Sequence, residues 1–302
     1  MHHDPLYRSG FSRFRIRSAW GFYGLMVVLA GVLILLATVA FVGSFRWINP
    51  SVSAYMIHED WQELGVERYD LTHYWNDYDE LPDHLKWAVI ASEDQQFYDH
   101  HGFDIESIKE AWEDLQEGTR TRGASTISQQ VARNMFLWPD QSWVRKGLEA
   151  VLTVMVEVIW PKERILEVYL NIAEFGPGLY GIGKASQEYF GNAPSQIEPD
   201  ASARFAAVLP EPKRMRVEPP TPFVEERSKW ILAQMSHITG VSYLPEEEEP
   251  EVEPEFEPAD DPHPPGFQRG WEEDSLQDTI PTEQVENDSI IQLPDTLRQE
   301  FR

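Results

Sequence analysis

The sequence predicts a mainly α-helical protein with one N-terminal transmembrane helix. Three observations predict this fold class: an uncharged apolar run over 19–45, apolar residues at helical spacing over 81–240, and few strand signals. The end of the chain, 241–302, is a Pro/Glu-rich acidic segment that buries little and is expected to be disordered. The predicted order is a basic segment (1–18), a membrane helix, a connector (46–80), a helical domain and the acidic tail.

Charge and cysteine content exclude two classes of function. The 302 residues carry a formal net charge of -26, whereas a nucleic-acid surface needs a basic stripe, so we expect no nucleic-acid partner. The chain contains no cysteine, which excludes disulfides and thiolate chemistry.

The apolar run over 19–45 is typical of a retained membrane anchor. As a helix it would be ~40 Å long at ~1.5 Å per residue, which is enough to cross a hydrocarbon core of about 30 Å. Arg8, Arg13, Arg15 and Arg17 precede it, and the positive-inside rule keeps this end cytoplasmic and exports the rest. The alternative is a cleaved signal peptide, which the length of the run and the lack of a clear cleavage site disfavour.

Helical periodicity divides residues 81–240 into short helices. Pro82 marks the start of the first one. Leu148–Trp160 is apolar almost all round, which predicts a buried helix. The sequence EFGPGLYGIG predicts a glycine-rich turn. Further helices are predicted around Ile105–Leu115, Thr126–Leu137, Ile165–Leu170, Lys184–Phe190, Asp200–Leu209 and Glu225–His237.

The stretch EDQQFYDHHGFD, residues 93–104, places two carboxylates where an apolar helix ends. Such pairs usually lie on the surface, but Glu93 continues an apolar helix, so we expect it to be partly buried. Burial raises the pKa of a carboxylate and makes it a better proton acceptor near neutrality. His100 and His101 suggest a metal site, but adjacent histidines point in different directions and no third ligand has useful spacing. We therefore predict no metal site and a hydrogen-bonding role for both histidines.

The stretch GASTISQQVARN, residues 123–134, collects neutral hydrogen-bonding groups beside one cation. Its first small residues allow close approach of the backbone, and Ser125 is a candidate helix cap. Gln129 and Gln130 supply amide donors and acceptors, and Arg133 supplies a fixed charge that suits phosphate. The combination favours a ligand that is part sugar and part phosphate. The alternative is that a glutamine braces neighbouring loops.

The stretch RKGLE, residues 145–149, carries charges into an apolar helix. Arg145 and Lys146 come first, and Glu149 enters the apolar body, where charges are rare without a partner or a purpose. The alternative is a simple intrahelical pair, because Arg145 lies four residues before Glu149. The residues alone do not decide between these interpretations.

Five segments together resemble the motifs of the family 51 peptidoglycan glycosyltransferases. In chain order they are EDQQFYDHHGFD, GASTISQQVARN, RKGLE, KERILEVYLNIAEFGPGLYGI and AAVLPEP. The resemblance covers 81–240 and is strongest to the monofunctional Gram-negative branch, because the Ser-x-x-Lys and Lys-Thr-Gly signatures of a transpeptidase domain do not occur.

The resemblance implies a lysozyme-like helical domain that polymerises lipid II. The glycan polymer would grow in the periplasm, with the anchor in the inner membrane and the N-terminus in the cytoplasm. In this family Glu93 would be the general base and Glu149 the second essential acid. The residues that would bind the phosphates and sugars are Asp94, Ser125, Gln129, Gln130, Arg133, Arg145, Lys146 and Lys162.

The expected partners are lipid II, the growing glycan strand and the membrane, with other cell-wall synthesis or division proteins as further candidates. No obligatory cofactor is expected, and Mg²⁺ or Mn²⁺ would be auxiliary. Glu149 has three open roles: orienting the nearby cations, assisting the leaving group, or helping to hold such an ion. Met135–Trp138 and Trp143 belong either to the core or to a membrane-contacting surface.

Two other functions compete with a polymerase. A lysozyme-like lytic transglycosylase would use a single glutamate on finished glycan and would have little use for a cluster of phosphate-binding groups. A non-catalytic membrane scaffold would use the acidic tail to recruit partners. Both are compatible with an anchored helical chain.

Overall fold

The structure is a computed structural model that describes residues 12–62, 71–118, 125–140 and 142–244. Within these ranges, side chains are described from residue 21 onward, except for those of residues 59–62. Most of the predicted acidic tail, the first residues of the basic segment, and the small residues Gly123 and Ala124 lie outside the described residues. The described residues all belong to one compact unit.

The described residues form ten α-helices and one two-stranded hairpin, which confirms the mainly α prediction. The helices are α1 (Ser12–Ser44), α2 (Ala54–Gln62), α3 (Asp83–Glu93), α4 (Ile105–Glu117), α5 (Ile127–Phe136), α6 (Trp143–Ile159), α7 (Lys162–Ile172), α8 (Ile182–Phe190), α9 (Pro199–Val208) and α10 (Pro222–Thr239). The strands are β1 (Glu174–Gly176) and β2 (Leu179–Tyr180), which pair antiparallel within the stretch that was predicted as a turn.

Two groups of helices meet where α3 ends. In the first group α3 packs against α9 and α10, and in the second α5 packs against α6 and α7. The apolar spacing of α3 buries Leu85, Ala88 and Val89, as its sequence pattern predicts. Because the last residue of α3 reaches α5, the junction of the two groups is where polar side chains of both can meet.

Helix α6 has its polar face turned toward the protein, so the prediction of a buried apolar helix was wrong. Its buried residues are Glu149, Thr153 and Val156. Its exposed large apolar residues form a stripe: Trp143, Val144, Leu148, Val151, Val154 and Val158. The prediction failed because it weighed the apolar content of the helix and not the spacing of its few polar residues, which recur every four positions on one face.

Helix α4 also exposes its apolar face. None of its residues is buried, and Ile105, Ile108, Trp112 and Leu115 are all exposed. The predicted amphipathic pattern is present, but no other described element covers its apolar side.

One segment of the described chain, Gly21–Ser44 in α1, is long and apolar enough to cross a membrane, with a mean hydropathy of 3.0. Its side chains are exposed along most of its length, but Val42 near its end is fully buried. The helix therefore projects from the remainder of the protein and packs against it only at its C-terminal end.

The end of α1 and the turn that follows it are held by side chains that bind backbone carbonyls. Arg164 of α7 donates from Nε and Nη2 to the Phe45 carbonyl at 3.0 and 2.9 Å, and from Nη2 to the Ile48 carbonyl at 3.0 Å. The Trp160 indole donates to the Val42 carbonyl at 3.0 Å. The Phe45 and Ile48 carbonyls lie just beyond the end of α1, so the bonds from Arg164 satisfy acceptors that would otherwise need water.

A buried ion pair fixes the arginine that holds the anchor. Arg164 pairs with Glu167 one helical turn further along α7, and both residues are buried. The Trp75 indole donates to the same carboxylate at 2.9 Å. Burial raises the pKa of Glu167, and the charge of Arg164 opposes that rise.

Replacing Arg164 with Met should lower the free energy of unfolding by roughly 3 kcal/mol, because it leaves the buried Glu167 carboxylate without its charge partner and two carbonyls without their donor. Thermal unfolding in detergent, followed by circular dichroism, measures the loss. The matched control is Arg214→Met, since Arg214 also pairs with a glutamate three residues away but is exposed; its loss should stay below about 0.5 kcal/mol. Equal stability of the two variants would contradict the role given to Arg164.

Candidate active site

The candidate site is centred on Glu93, the last residue of α3. The helix ends there because Asp94 leaves the helical conformation, with φ -159° and ψ 77°. The Glu93 carboxylate lies at the junction of the two helix groups and accepts a hydrogen bond from Gln130 Nε2 of α5 at 2.8 Å. The amide oxygen of Gln130 in turn accepts a bond from the Tyr169 hydroxyl of α7 at 3.3 Å.

Opposing effects act on the proton affinity of Glu93. Burial is the largest, and it raises the pKa of Glu93 above its ordinary value. The bond from Gln130 and the charges of Arg227 and Arg133 oppose that rise, whereas Asp94 adds to it. The result is a carboxylate that holds a proton more readily than a solvent-exposed one, as a general base working near neutral pH requires.

A cavity of about 330 Å³ opens beside Gln130 and Tyr169. Arg133 lines it, and among the described residues this arginine forms no ion pair, its Nε donating to the Asn134 side chain at 3.1 Å. An arginine without an acidic partner in a cavity wall suits an anionic ligand. The remaining wall comes from α2, the end of α7, the hairpin and the segment 209–214.

Asp94, which was predicted to bind substrate, is instead committed to internal bonds. Both of its oxygens lie 2.9 Å from His100 Nε2, and Oδ2 also accepts the Ile127 backbone N–H at 2.9 Å. The other ring nitrogen of His100 accepts the Gly102 N–H at 3.0 Å, so the ring carries its proton on Nε2 and donates it to Asp94. Asp94 thus joins the loop after α3 to the start of α5.

His101 is exposed, and of the two histidines only His100 makes a side-chain hydrogen bond within the described part of the chain. The expected hydrogen-bonding role is therefore found for one of the pair.

Two residues of the second motif have structural roles that differ from the expectation. Thr126, and not Ser125, caps α5, and its hydroxyl accepts the Gln129 backbone N–H at 3.2 Å. The Gln129 side chain returns the bond by accepting the Thr126 N–H at 2.9 Å. Gln129 is buried, and its amide oxygen is used as the acceptor in this capping box. Of the two glutamines, Gln129 braces the fold and Gln130 faces the site.

Glu149 forms a second polar group, on the inward face of α6. Its carboxylate is almost fully buried and is paired on both oxygens, with Arg145 Nη1 at 2.8 Å and with Lys146 Nζ. The intrahelical pair between Arg145 and Glu149 is therefore present, and Lys146 makes it a triad. The buried Nε of Arg145 has no hydrogen-bond partner in the described structure.

Lys162, a predicted phosphate-binding residue, pairs with an acid that the sequence analysis missed. Glu157 of α6 accepts from Lys162 Nζ at 2.8 Å and from the Ser128 hydroxyl of α5. The Lys162 ammonium also lies 4.6 Å from the centre of the Phe97 ring. Glu157 lies two turns after Glu149 on the same face of α6, and this spacing was the available signal for it.

The structure brings the predicted residues together in three clusters. Glu93, Gln130 and Arg133 form the first, Arg145, Lys146 and Glu149 the second, and Lys162 with Glu157 the third. Glu93 and Glu149 share no ion-pair or hydrogen-bond partner among the described residues. The clusters are linked through α5, which carries Gln130 and Arg133 and packs against both α6 and α7.

The chain is similar to a known protein family over nearly all of the segment that carries the five motifs. A family model described as Transglycosylase matches residues 61–236, more than half of the chain. The chain belongs to the transglycosylase family. Family membership confirms the lysozyme-like helical domain that the motifs implied. The match begins inside the segment predicted as a connector and ends within α10.

Curated members of the transglycosylase family are similar to this chain over most of their own length. A biosynthetic peptidoglycan transglycosylase of Xanthomonas campestris pv. campestris (strain B100) is 47% identical over 221 residues, which are 72% of this chain and 89% of that protein. Proteins of the same name from Ectopseudomonas mendocina (strain ymp) and Stutzerimonas stutzeri (strain A1501) are 45% and 46% identical. These alignments cover 70% and 66% of this chain, and 88% and 83% of the relatives.

Replacing Glu149 with Gln should destabilise the domain by roughly 2 kcal/mol, because Arg145 and Lys146 would lose the buried charge that they share. For a domain of this size that corresponds to a fall of about 4–8 °C in Tm, measurable by differential scanning fluorimetry. Glu188→Gln on the exposed side of α8 is the control and should leave Tm within about 1 °C. An unchanged Tm for Glu149→Gln would show that the triad contributes little to folding.

Proposed function

We propose that this chain is a peptidoglycan glycosyltransferase that elongates glycan strands from lipid II. The observation that carries the proposal is the partly buried Glu93 carboxylate, which accepts a hydrogen bond from Gln130. Gln130 lines a cavity together with Arg133, an arginine that forms no ion pair within the described residues. Membership of the transglycosylase family and the names of the relatives support the same reaction class.

The proposed reaction joins a sugar hydroxyl to an anomeric carbon that carries a lipid pyrophosphate. Glu93 takes the proton from the 4-hydroxyl of the acceptor GlcNAc as its oxygen attacks the donor carbon. The bond from that carbon to the pyrophosphate breaks, and polyprenyl diphosphate leaves. Attack from the opposite face inverts an α-linked donor into a β-1,4 link. Burial supports this step because it makes Glu93 a competent proton acceptor near neutral pH.

The departing diphosphate needs positive charge more than it needs a proton. Arg133 lines the cavity, and Arg145, Lys146 and Lys162 project from neighbouring helices, each held by an acid of α6. Cations already placed where charge develops lower the barrier without reorganising. Since general-base catalysis supplies about 10²- to 10⁴-fold, these cations and substrate positioning would have to supply much of the remaining acceleration. Of the open roles for Glu149, orienting Arg145 and Lys146 agrees best with the ion pairs.

The residues around Glu149 do not fit a divalent cation, because its two carboxylate oxygens already face an arginine and a lysine. Within the described residues no three His, Cys, Asp or Glu side chains are grouped as metal ligands. We therefore propose a reaction without an obligatory cofactor, and Mg²⁺ or Mn²⁺ would be auxiliary. No step above depends on a metal.

The exposed apolar stripe of α6 is proposed to lie on the membrane surface. Helix α1 packs against α6 at its C-terminal end, so the stripe begins beside the point where the anchor enters the domain. The apolar residues Met135–Trp138 and Trp143 divide between the two expected places. Met135 and Leu137 are buried, Phe136 packs against Phe41 and Phe45 at the end of the anchor, and Trp138 and Trp143 are exposed. The proposed topology is a single pass through the inner membrane with the N-terminus cytoplasmic and the catalytic domain periplasmic.

Glu93→Gln should abolish polymerisation of lipid II, because an amide cannot accept the hydroxyl proton. The full-length protein in detergent or liposomes is incubated with labelled lipid II, and polymer is measured by gel electrophoresis. A loss of at least about 100-fold is expected, with Tm close to wild type. Polymer formation by the variant would remove Glu93 as the base and favour a scaffold, and shortening of finished glycan by the wild type without polymer would favour a lytic enzyme.

A fluorophore on the α6 stripe should report a lipid environment. The chain has no native cysteine, so Val158→Cys and the control Gln187→Cys each give a single labelling site on an exposed position. In proteoliposomes an NBD label at 158 should emit at shorter wavelength and be quenched by spin-labelled lipid. The label at 187 should emit as in water. Water-like emission at both sites would contradict the membrane contact.

A further inference from the structure

The inner part of the site contains a tyrosine that no step above uses. Tyr169 is buried in α7, and its hydroxyl donates to the Gln130 amide oxygen at 3.3 Å, while Gln130 Nε2 donates to Glu93 Oε2 at 2.8 Å. Three helices, α7, α5 and α3, thus contribute one residue each to a chain of hydrogen bonds that ends on the candidate base.

The direction of this chain follows from the tyrosine. A side-chain amide can turn round and exchange its donor and acceptor, so its orientation is decided by its partners. Burial raises the pKa of Tyr169 well above its ordinary value, so the hydroxyl keeps its proton. With the hydroxyl donating, Gln130 must present its oxygen to Tyr169 and its NH₂ group to Glu93.

This orientation matters most when Glu93 has taken up a proton. A carboxylate accepts from the NH₂ group, but a protonated Glu93 would be better served by an amide oxygen that accepts its new O–H. An unrestrained Gln130 could turn and stabilise that acid form. The bond from Tyr169 opposes the turn, because it would leave the buried hydroxyl facing an NH₂ group with no acceptor.

We propose that Tyr169 is a positioning residue that locks the Gln130 amide and thereby favours the ionised form of Glu93. The inference rests on the proposed function, in which Glu93 is the base. Other groups also act on Glu93: Arg133 of α5, Arg227 of α10 and the neighbouring Asp94. None of them is altered by removing one hydroxyl from Tyr169.

The test is Tyr169→Phe, which keeps the ring and deletes the hydroxyl. The acid limb of the kcat/KM profile for lipid II polymerisation should move to higher pH by about 0.5–1 unit, the equivalent of one neutral hydrogen bond. At pH values well above the acid limb, Glu93 is ionised in both proteins and their kcat/KM values should agree within about twofold. At pH values well below the limb, kcat/KM of the variant should be about three- to tenfold lower. The purified full-length protein is used throughout.

Tyr189→Phe is the matched control, because the Tyr189 hydroxyl also donates at 3.3 Å, to the Phe175 carbonyl. The Tyr189→Phe variant should have the acid limb of its kcat/KM profile at the same pH as the wild type. A second measurement does not depend on turnover: the infrared band of protonated Glu93, identified by its loss in Glu93→Gln, should persist to higher pH in Tyr169→Phe.

An unshifted profile and band in Tyr169→Phe, or equal shifts in the two tyrosine variants, would overturn this inference while leaving the proposed function intact. Full polymerisation by Glu93→Gln would instead overturn the assignment of the base itself.

Discussion

The site depends on one constraint: α6 turns its charged side chains toward the protein and its apolar side chains outward. Glu149 and Glu157 enter the interior on this face, and each holds cations at fixed positions. A buried carboxylate is tolerated only with such partners. Reversing the helix would bury valines and expose the triad. The inward polar face therefore accounts both for the placement of the cations and for an apolar surface that water does not favour.

The helices surrounding α6 set the relation between the candidate base and these cations. Asp94 joins the loop after α3 to the first turn of α5, and the capping box of Thr126 and Gln129 fixes that turn. With the start of α5 held, Gln130 and Arg133 occupy adjacent turns of one helix. Asp94 and Gln129, which were expected to touch substrate, are thus part of the scaffold that positions Gln130 and Arg133.

The sequence predicted the helices well and the roles of the polar residues less well. Apolar spacing located α3, α5 and α7 because those helices bury an apolar face against other helices. It misjudged α6, because most apolar residues of this helix are exposed and its few polar residues, which recur every four positions, face the protein. Motif matching found Glu93 and Glu149 but could not separate Gln129 from Gln130, since neighbouring amides differ only in direction. Tyr169 gave no signal in isolation, because its importance depends on Gln130, which is distant in the chain. Glu157 gave only its spacing from Glu149 on one face of α6.

The hydrogen bonds from Arg164 to the carbonyls after α1 affect how the protein would meet its proposed substrates. In the proposed topology, a domain fastened directly to its membrane helix cannot swing away from the lipid plane, so lateral diffusion and rotation about the membrane normal are the motions left to it. Encounters with the proposed lipid-borne substrates would then take place in two dimensions. Their rate is set by the number of carriers per unit area of membrane, and diluting the surrounding solution would leave it unchanged.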